Sequence, residues 1–402
     1  MLGGILSKKI KVKELTKIFG HNPKRAVKLL KEGKSKKEIL DQTGLTVGVN
    51  RCSFEVEDGE LFVIMGLSGS GKSTLIRLIN RMIEPTYGDI FIDDENISEL
   101  NEEDLRNARR EKMSMVFQNF ALFPHYTILE NAAYGLTIKN GKSEKANKKA
   151  MEALKLVGLE GYEDQYPDQL SGGMQQRVGL ARALATDTDI LIMDEAFSAL
   201  DPLIRKEMQD ELVYLQSEMK KTVLFITHDL NEALKIGDKI AVMKDGSLLQ
   251  VDTPERLLSH PKNEFIREFV QDVDRSKVLT AENVMIRPDT INIHRHGPKA
   301  ALSKMLRSGN SSIFVVNNKR ELLGYVLAED ASNAYAKGQK NLEEIMRNDM
   351  LKINMDYPLE DIVSDIQDAK IPICVVDGDV FKGIIIKGTV LAALSKDEVE
   401  DE

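Results

Sequence analysis

The chain has 402 residues, of which 42% are hydrophobic and 30% are charged, and its formal net charge is -9. This length predicts two or three domains with their own cores, and the net charge argues against a general nucleic-acid binder. No apolar run reaches the roughly 18 residues of a membrane span, and the first residues lack the apolar core of a signal peptide. The two cysteines are too few for a disulfide framework or a cysteine zinc site. We therefore expect a multidomain protein of a reducing, cytosolic compartment.

The N-terminal segment is basic. Residues 8–37 contain twelve Lys or Arg and two acids, Glu14 and Glu32. One interpretation is a solvated helical face. The other is electrostatic contact with an anionic membrane surface, which contributes about 1 kcal/mol per nearby base. The sequence leaves both interpretations open.

Residues 10 to about 277 alternate between strand and helix patterns, which predicts an α/β domain built on a sheet. Two short helices are predicted at 25–30 and 35–40, and the second opens with a capping box of the Ser-x-x-Glu type. Residues 120–180 have stronger helical periodicity and suit a helical subdomain inserted into the sheet domain.

A glycine-rich loop follows the apolar run 61–65 and opens a helical pattern, the context expected of a phosphate-binding loop. Glycines expose backbone N–H groups to a triphosphate, Lys72 adds a point charge, and Ser73 offers a hydroxyl to Mg²⁺. An ordinary glycine turn is the weaker alternative. The predicted ATP contacts of this loop are Gly66, Ser68, Gly69, Ser70, Gly71, Lys72, Ser73 and Thr74.

Two adjacent carboxylates, Asp194 and Glu195, end the apolar run 190–193. Asp194 can hold the Mg²⁺ shell and Glu195 can act as general base toward the attacking water. Without the glycine loop the pair would be read as a strand-end cap. His228 follows the run 223–227 and would orient the γ-phosphate and water, although a histidine found alone there would be read as structural.

Two further motifs lie between the glycine loop and the carboxylates. Gln118 follows the run 114–117 and could contact Mg²⁺ or the catalytic water. The sequence Leu-Ser-Gly-Gly-Met-Gln-Gln-Arg at 170–177 precedes a helix predicted to begin near Met174, which presents open amides at a positive helix end. Those amides belong to Ser171, Gly172 and Gly173.

Along the chain the five motifs come in the order glycine loop, Gln118, 170–177, the Asp194–Glu195 pair and His228. With this order, residues 10 to about 250 resemble the ABC-type ATPases. The resemblance implies an α/β P-loop ABC ATPase domain with a RecA-like core and helical subdomain, which binds ATP and Mg²⁺. It also implies a homodimer, because the 170–177 motif of one subunit caps the ATP of the other. By the same resemblance Asp201 lies at the dimer seam, with a helix cap as the alternative, and Phe19 stacks on adenine, with a core or surface aromatic as the alternative.

An internal repeat begins beyond residue 274. The segment 313–318 aligns with 373–378, and each copy has a helical stretch upstream. The pattern resembles a tandem CBS pair, an α+β module. We therefore expect the following boundaries: ATPase domain 1–277, first CBS domain 278–338, second CBS domain 339–396 and acidic tail 397–402.

Three segments resemble the ATPase subunit of glycine betaine/proline betaine importers: the insertion at 22–49, the motif at 62–71 and the segment 194–205. That resemblance implies import of a compatible solute under osmotic stress. It also implies that two copies dock on permease subunits at the cytoplasmic face of the membrane, and that a solute-binding protein or domain delivers the solute. The alternative is an importer for another small solute, such as an amino acid or choline. ABC ATPases of DNA repair or translation are disfavoured, because this chain has neither a long coiled coil nor a second glycine loop.

The CBS pair leaves its ligand open. In CBS domains that bind adenosine nucleotides, a hydroxyl residue and an Asp follow the glycine; here Leu327 and Ile386 replace the hydroxyl, Asp330 remains and Thr389 replaces the second Asp. AMP or ATP binding is therefore in doubt, whereas a cyclic dinucleotide at the CBS dimer interface is compatible. Ionic-strength sensing is a further hypothesis, with candidate lipid contacts in segment 8–37 and at Arg295, Lys299, Lys304 and Arg307.

Overall fold

The computed structural model describes residues 8–118, 120–198, 200–271, 273–367, 369 and 371–395. The chain divides into two units between Val270 and Gln271, earlier than the boundary expected after residue 277. The predicted acidic tail, 397–402, lies outside the described residues. Among the described helices none is both long and apolar enough to cross a bilayer.

The first unit contains ten strands and eleven α-helices among its described residues. The strands are β1 (Lys8–Phe19), β2 (Thr46–Glu57), β3 (Leu61–Met65), β4 (Tyr87–Ile92), β5 (Glu95–Asn96), β6 (Met113–Val116), β7 (Ile190–Asp194), β8 (Thr222–Thr227), β9 (Lys239–Lys244) and β10 (Ser247–Asp252). The helices are α1 (Lys24–Lys31), α2 (Lys36–Thr43), α3 (Lys72–Ile79), α4 (Glu102–Lys112), α5 (Ile128–Asn140), α6 (Glu144–Leu156), α7 (Gly172–Ala185), α8 (Pro202–Met219), α9 (Leu230–Ile236), α10 (Pro254–Ser259) and α11 (Glu264–Val270), with a 3₁₀ turn at Pro167–Gln169.

The central sheet has the strand order β10-β9-β3-β8-β7-β6. Its strands pair in parallel except β10, which is antiparallel to β9 at one edge. Every residue of β3, β7 and β8 is buried, as expected for parallel strands covered on both faces. Because these three strands are neighbours, the segments that follow their carboxyl ends meet at one edge of the sheet.

A second, antiparallel sheet has the order β2-β1-β4-β5 and shares a hydrophobic core with the central sheet. At this junction the rings of Phe54 and Phe62 stack with centroids 5.0 Å apart. The core fixes the end of β1 close to the start of α3, where the glycine loop lies.

Helices α1 and α2 form an insertion between β1 and β2, as the sequence predicted. The capping box is present: Glu38 N donates to Ser35 Oγ (3.2 Å) and Ser35 N donates to Glu38 Oε2 (2.8 Å). Ala26 and Ile39 are fully buried in a small core with Ile18 of β1. The insertion is therefore packed on the sheet rather than extended from it.

The region predicted as a helical subdomain contains α5, α6 and α7, which pack against one another. Each of these helices begins with a side-chain cap, from Thr127, Ser143 and Ser171 respectively.

The second unit contains two copies of a small αβ arrangement. Its strands are β11 (Thr290–Asn292), β12 (Ser312–Val316), β13 (Leu322–Leu327), β14 (Lys352–Asn354), β15 (Ile373–Asp377) and β16 (Val380–Ile385). Its helices are α12 (Ala281–Val284), α13 (Pro298–Ser308), α14 (Ala328–Ala336), α15 (Leu359–Asp365) and α16 (Lys387–Leu394), with a 3₁₀ turn at Arg275–Lys277.

The two copies have the same sheet topology, β11-β12-β13 and β14-β15-β16, each with a parallel first pair and an antiparallel second pair. The internal repeat inferred from the sequence is confirmed. The two sheets also share a core in which the rings of Phe314 and Phe381 lie 5.4 Å apart.

The chain crosses over between the copies. The stretch that includes α12 packs in the core of the second copy, where Ala281 N donates to Tyr357 O (2.9 Å). Conversely, Leu342 is buried in the core of the first copy. Because each copy is completed by residues from the other side of position 338, the two copies are not the consecutive segments 278–338 and 339–396.

Candidate active site

The glycine loop connects β3 to α3 and has positive φ angles at Gly66 (152°) and Gly71 (104°). A Cβ atom at Gly66 would lie 2.2 Å from Met243 O, and one at Gly71 would lie 2.4 Å from Gly48 O, so a side chain is excluded at both positions. At Gly69 the same atom would meet nothing within 4 Å. The loop is thus tightly packed at Gly66 and Gly71 and open at Gly69, which leaves room for a polyphosphate.

Lys72, at the start of α3, is the buried cation of the loop. Its Nζ donates to the carbonyl oxygens of Gly66 (2.8 Å) and Leu67 (3.2 Å) and lies 3.9 Å from Glu195 Oε1. Burial lowers the pKa of Lys72, partly opposed by the nearby carboxylates. The ammonium is held at the loop, where phosphate oxygens would replace the carbonyls as its acceptors.

Ser73 and Asp194 meet across the sheet edge. Ser73 Oγ donates to Asp194 Oδ1 at 3.3 Å. Burial raises the pKa of Asp194, and the hydrogen bond from Ser73 opposes this shift. A hydroxyl and a carboxylate are the oxygen donors that Mg²⁺ prefers. Among the described residues no group of three His, Cys, Asp or Glu is placed to hold a metal ion.

Glu195 is the centre of a polar cluster from three separate segments. Its Oε2 lies 3.3 Å from Gln118 Nε2 and 3.4 Å from His228 Nδ1. Its backbone N donates to Ile226 O (3.1 Å), which ties the end of β7 to β8. The residue has a positive φ of 46°, an unusual conformation for a glutamate and one that is found at functional sites.

Gln118 uses its amide nitrogen for Glu195 and for Ser198 Oγ (3.4 Å). The structure therefore places Gln118 with the carboxylate that would activate water. Its contact with Mg²⁺ stays a prediction.

A pocket of about 280 Å³ lies over the glycine loop. Glu195 lines it together with most of the predicted ATP contacts, which are Phe19, Ser68, Gly69, Gly71, Lys72, Ser73 and Thr74. Gly66 lies beneath the loop, and Ser70 is buried with its Oγ directed at Gly66, where a Cβ would be 2.8 Å away. Any contact of Ser70 with a nucleotide would therefore come from its backbone.

Three residues of the lining were not predicted: Lys36, Thr46 and Gly48. For Thr46 and Gly48 the available signal was their position, because Phe19 ends β1 and pairs with Thr46 at the start of β2.

Phe19 is 39% exposed, which excludes the core alternative. Its ring packs on Gly48, where a Cβ would come 2.7 Å from Phe19 Cε2. Lys17 Nζ lies 5.3 Å from the ring centroid. The stacking of adenine on this ring stays a prediction.

The signature residues lie apart from this pocket. Ser171 Oγ accepts a hydrogen bond from Met174 N (3.3 Å) and caps α7, which begins at Gly172. Ser171 and Gly172 are exposed, and in the described structure neither they nor Gly173 line the pocket. Asp201 caps α8 by accepting from Ile204 N (3.0 Å), as the alternative interpretation expected, and its place at a dimer seam stays a prediction.

Comparison with known proteins identifies the family. Residues 49–198 match the family model described as ABC transporter. The chain is 58% identical over 391 residues to the glycine betaine/carnitine transport ATP-binding protein GbuA of Listeria monocytogenes, covering 97% of this chain and 98% of that protein. It is 56% identical to the glycine betaine transport ATP-binding protein OpuAA of Bacillus subtilis, covering 96% and 92%. It is 46% identical to the glycine betaine/proline betaine transport system ATP-binding protein ProV of Escherichia coli, covering 98% and 99%.

The fold is also that of solved ATP-binding cassettes. A dimeric cassette in a post-hydrolysis state with ADP and phosphate is 33% identical, with a TM-score of 0.52, and the match covers 61% of this chain and 98% of that one. Since the relatives match over nearly their full length, the chain belongs to the ABC transporter family, in the group of ATP-binding proteins of glycine betaine transport.

Proposed function

We propose that this chain hydrolyses ATP to power uptake of glycine betaine or a related quaternary amine through a membrane permease. The observation that carries the proposal is the convergence of Gln118 and His228 on Glu195 beside the Lys72 loop. The base and the phosphate-binding cation therefore line one pocket, and two polar neighbours contact the base.

In this proposal the Glu195 carboxylate accepts a proton from water as the water oxygen bonds to the γ-phosphorus. The bond from γ-phosphorus to the β,γ-bridging oxygen breaks, and ADP and phosphate are released. Lys72 and the loop amides stabilise the charge that develops on the phosphate oxygens. Mg²⁺, held by Ser73 and Asp194, would neutralise part of that charge.

We further propose that two copies of the chain form the active unit. Ser171 and Gly172 are exposed at the start of α7, and neither they nor Gly173 line the described pocket of their own chain, which supports their use on the nucleotide of a second copy. Two solved structures of one related cassette are described as dimeric.

The names of the relatives support the choice of transported solute. The relatives at 46–58% identity that match over 96–98% of this chain are named for glycine betaine, some with carnitine or proline betaine in addition. A trimethylamine N-oxide transport ATP-binding protein is 51% identical but matches 71% of this chain, and a choline transport ATP-binding protein is 36% identical. We therefore propose glycine betaine, rather than choline or an amino acid, as the transported solute. The dimer would work at the cytoplasmic face of the membrane, as a peripheral subunit, with permease subunits and a solute-binding protein or domain.

The second unit, as a tandem CBS pair, would regulate transport. The residues that could contact ribose are already engaged: Asp330 Oδ2 accepts from Arg347 Nη2 (2.7 Å), and Thr389 Oγ1 donates to Ile386 O (2.9 Å). This supports the doubt about AMP or ATP as ligand. A cyclic dinucleotide and ionic strength, sensed through an anionic membrane surface, remain the two regulators to test.

The test is ATP hydrolysis by the complex copurified with its permease and reconstituted in vesicles, with and without glycine betaine. Stimulation by betaine that is lost in Glu195→Gln is the expected result. Turnover that responds to another solute but not to betaine would overturn the substrate and keep the ATPase.

A further inference from the structure

The insertion between β1 and β2 contributes a side chain to the nucleotide pocket. Lys36, the first residue of α2, lines the pocket together with Phe19 and Gly48. Lys36 is half-buried, and within the residues that the structure describes no carboxylate pairs with its ammonium. The nearby Lys34, by contrast, is paired with Glu38 at 3.4 Å.

The position of Lys36 is fixed by its helix. The capping box of Ser35 and Glu38 closes the first turn of α2, and Ile39 is fully buried in the core of the insertion. Residues three apart on a helix share a face, so Lys36 lies on the side that packs toward the domain. Lys37, one residue later, is exposed.

Two lysines line the described pocket, and they are associated with different parts of it. Lys72 is bound to the carbonyl oxygens of Gly66 and Leu67 within the glycine loop. Lys36 belongs to the insertion that follows Phe19 and lines the same pocket as the ring expected to hold adenine. In a nucleotide that spans from the Phe19 ring to Lys72, the α-phosphate lies between the adenosine and the phosphates that Lys72 serves.

We propose that Lys36 binds the α-phosphate of ATP; this inference rests on the proposed function of the pocket. Lys72 and Mg²⁺ serve the β- and γ-phosphates in P-loop ATPases, and the glycine-loop amides that cradle the α- and β-phosphates are neutral, so a charged partner for the α-phosphate would come from outside the loop. An ammonium supplies that partner as a charge-assisted hydrogen bond. Lys36 then acts in nucleotide affinity and is not one of the bases of segment 8–37 available to lipid.

The test measures ATP binding to the full chain by isothermal titration calorimetry for Lys36→Ala, Lys36→Arg and the matched neighbour Lys37→Ala. Lys36→Ala is expected to raise Kd about tenfold, the effect of losing one partly solvated charge-assisted contact. Lys36→Arg keeps the charge and is expected to retain most of the affinity. Lys37→Ala is expected to match the wild type.

Inorganic tripolyphosphate distinguishes a phosphate contact from a base contact. If Lys36 binds phosphate, Lys36→Ala weakens binding of tripolyphosphate and ATP in parallel. Loss confined to ATP would overturn the phosphate assignment, and equal ATP affinity in Lys36→Ala and Lys37→Ala would overturn the inference altogether.

Lys72→Ala separates these failures from failure of the proposed function. If Lys72→Ala abolishes ATP binding while Lys36→Ala leaves it unchanged, only the role of Lys36 is wrong. If the wild type does not bind ATP, or Lys72→Ala binds it normally, the pocket itself is misassigned. Unchanged thermal midpoints of the Lys36 variants exclude a folding defect as the cause of weaker binding.

Discussion

Oε2 of Glu195 lies 3.4 Å from Nδ1 of His228. The two residues follow the neighbouring parallel strands β7 and β8, so their meeting is a consequence of strand order. The arrangement gives a carboxylate that can accept a proton from water and an imidazole that can orient the water and the phosphate beside it.

Replacement of Glu195 by Gln should therefore abolish hydrolysis and keep binding. The amide retains the shape of the side chain and its neighbours, Gln118 and His228, but it cannot accept the proton. We expect turnover to fall by at least about 100-fold, in the range of a lost general base, with ATP affinity nearly unchanged. Phosphate release and ATP titration measure the two effects.

His228→Ala is the matched comparison, since it leaves the base in place. We expect a smaller loss of turnover, on the order of tenfold to 100-fold. If Glu195→Gln retained more activity than His228→Ala, another group would have to be the base.

The contact between Gly48 and Phe19 predicts a second effect on ATP binding. In Gly48→Ala the new Cβ would lie 2.7 Å from Phe19 Cε2, so the ring has to move away from its present position. If the ring carries adenine, ATP affinity should fall by roughly threefold to tenfold, the range of one aromatic stacking contact. Equilibrium titration of ATP measures this effect.

The double variant Gly48→Ala with Phe19→Ala tests whether the loss of ATP affinity is caused by displacement of the ring. Because Gly48→Ala acts by displacing Phe19, it should lower the affinity little further once Phe19→Ala has removed the ring. Additive losses would mean that the new Cβ affects the nucleotide site directly, through Thr74 Cγ2, which it would approach to 3.2 Å. Gly388→Ala, where the new Cβ meets only Ile386 Cδ1 at 4.0 Å, is the control.

Much of the site follows from the sequence because parallel strands impose it. The apolar runs at 61–65, 190–193 and 223–227 become β3, β7 and β8, and the polar residues after them meet at the same edge. The capping box of α2 could also be predicted, because its two residues, Ser35 and Glu38, lie three positions apart in the sequence.

Other features depend on packing between distant segments, which a sequence pattern does not encode. Lys36 enters the pocket only because the insertion packs on β2, and the Ser70 side chain turns inward because Gly66 leaves room for it. The crossover in the second unit was missed for the same reason: the pattern shows two copies but not that Leu342 completes the first.

Both cysteine thiols should be unreactive in the native protein at neutral pH. Burial raises the pKa of Cys52 from its ordinary value of 9.0 to about 12, and burial does the same for Cys374. At pH 8 about one thiol in ten thousand would then be the reactive thiolate. We expect slow alkylation by iodoacetamide in buffer and rapid alkylation of both thiols in denaturant. Rapid native labelling at either position would show that it opens to solvent.

The same shifts predict a loss of stability at alkaline pH. A folded pKa above the unfolded one means that the buried neutral thiol stabilises the fold fully below about pH 9, and that this contribution declines as pH rises toward 12. Chemical unfolding midpoints should fall across this window. Replacing Cys52 by Ala and Cys374 by Ala should make the decline shallower, whereas an unchanged slope would assign it to other groups.

The salt response tests contact between the second unit and an anionic membrane. Of the four bases proposed for this contact, Lys304 donates to Thr290 O (2.9 Å) and is engaged within the fold. Arg295 and Lys299 are exposed, and Arg307 is 74% exposed with Asp289 at 3.9 Å. Each exposed base would contribute about 1 kcal/mol to lipid contact, and salt screens that contribution over about 10 Å.

Neutralising Arg295, Lys299 and Arg307 to Gln should therefore lower the salt concentration needed to activate betaine-stimulated ATP hydrolysis in vesicles that contain anionic lipid. The triple variant removes about 3 kcal/mol of attraction, so less screening releases the unit. Lys304→Gln is the comparison and should shift the salt curve less than the triple variant does, because it removes one charge and its ammonium is held at the Thr290 carbonyl. Identical curves for the triple variant and the wild type would exclude these bases as the lipid contact and leave segment 8–37 or a ligand of the second unit as the source of regulation.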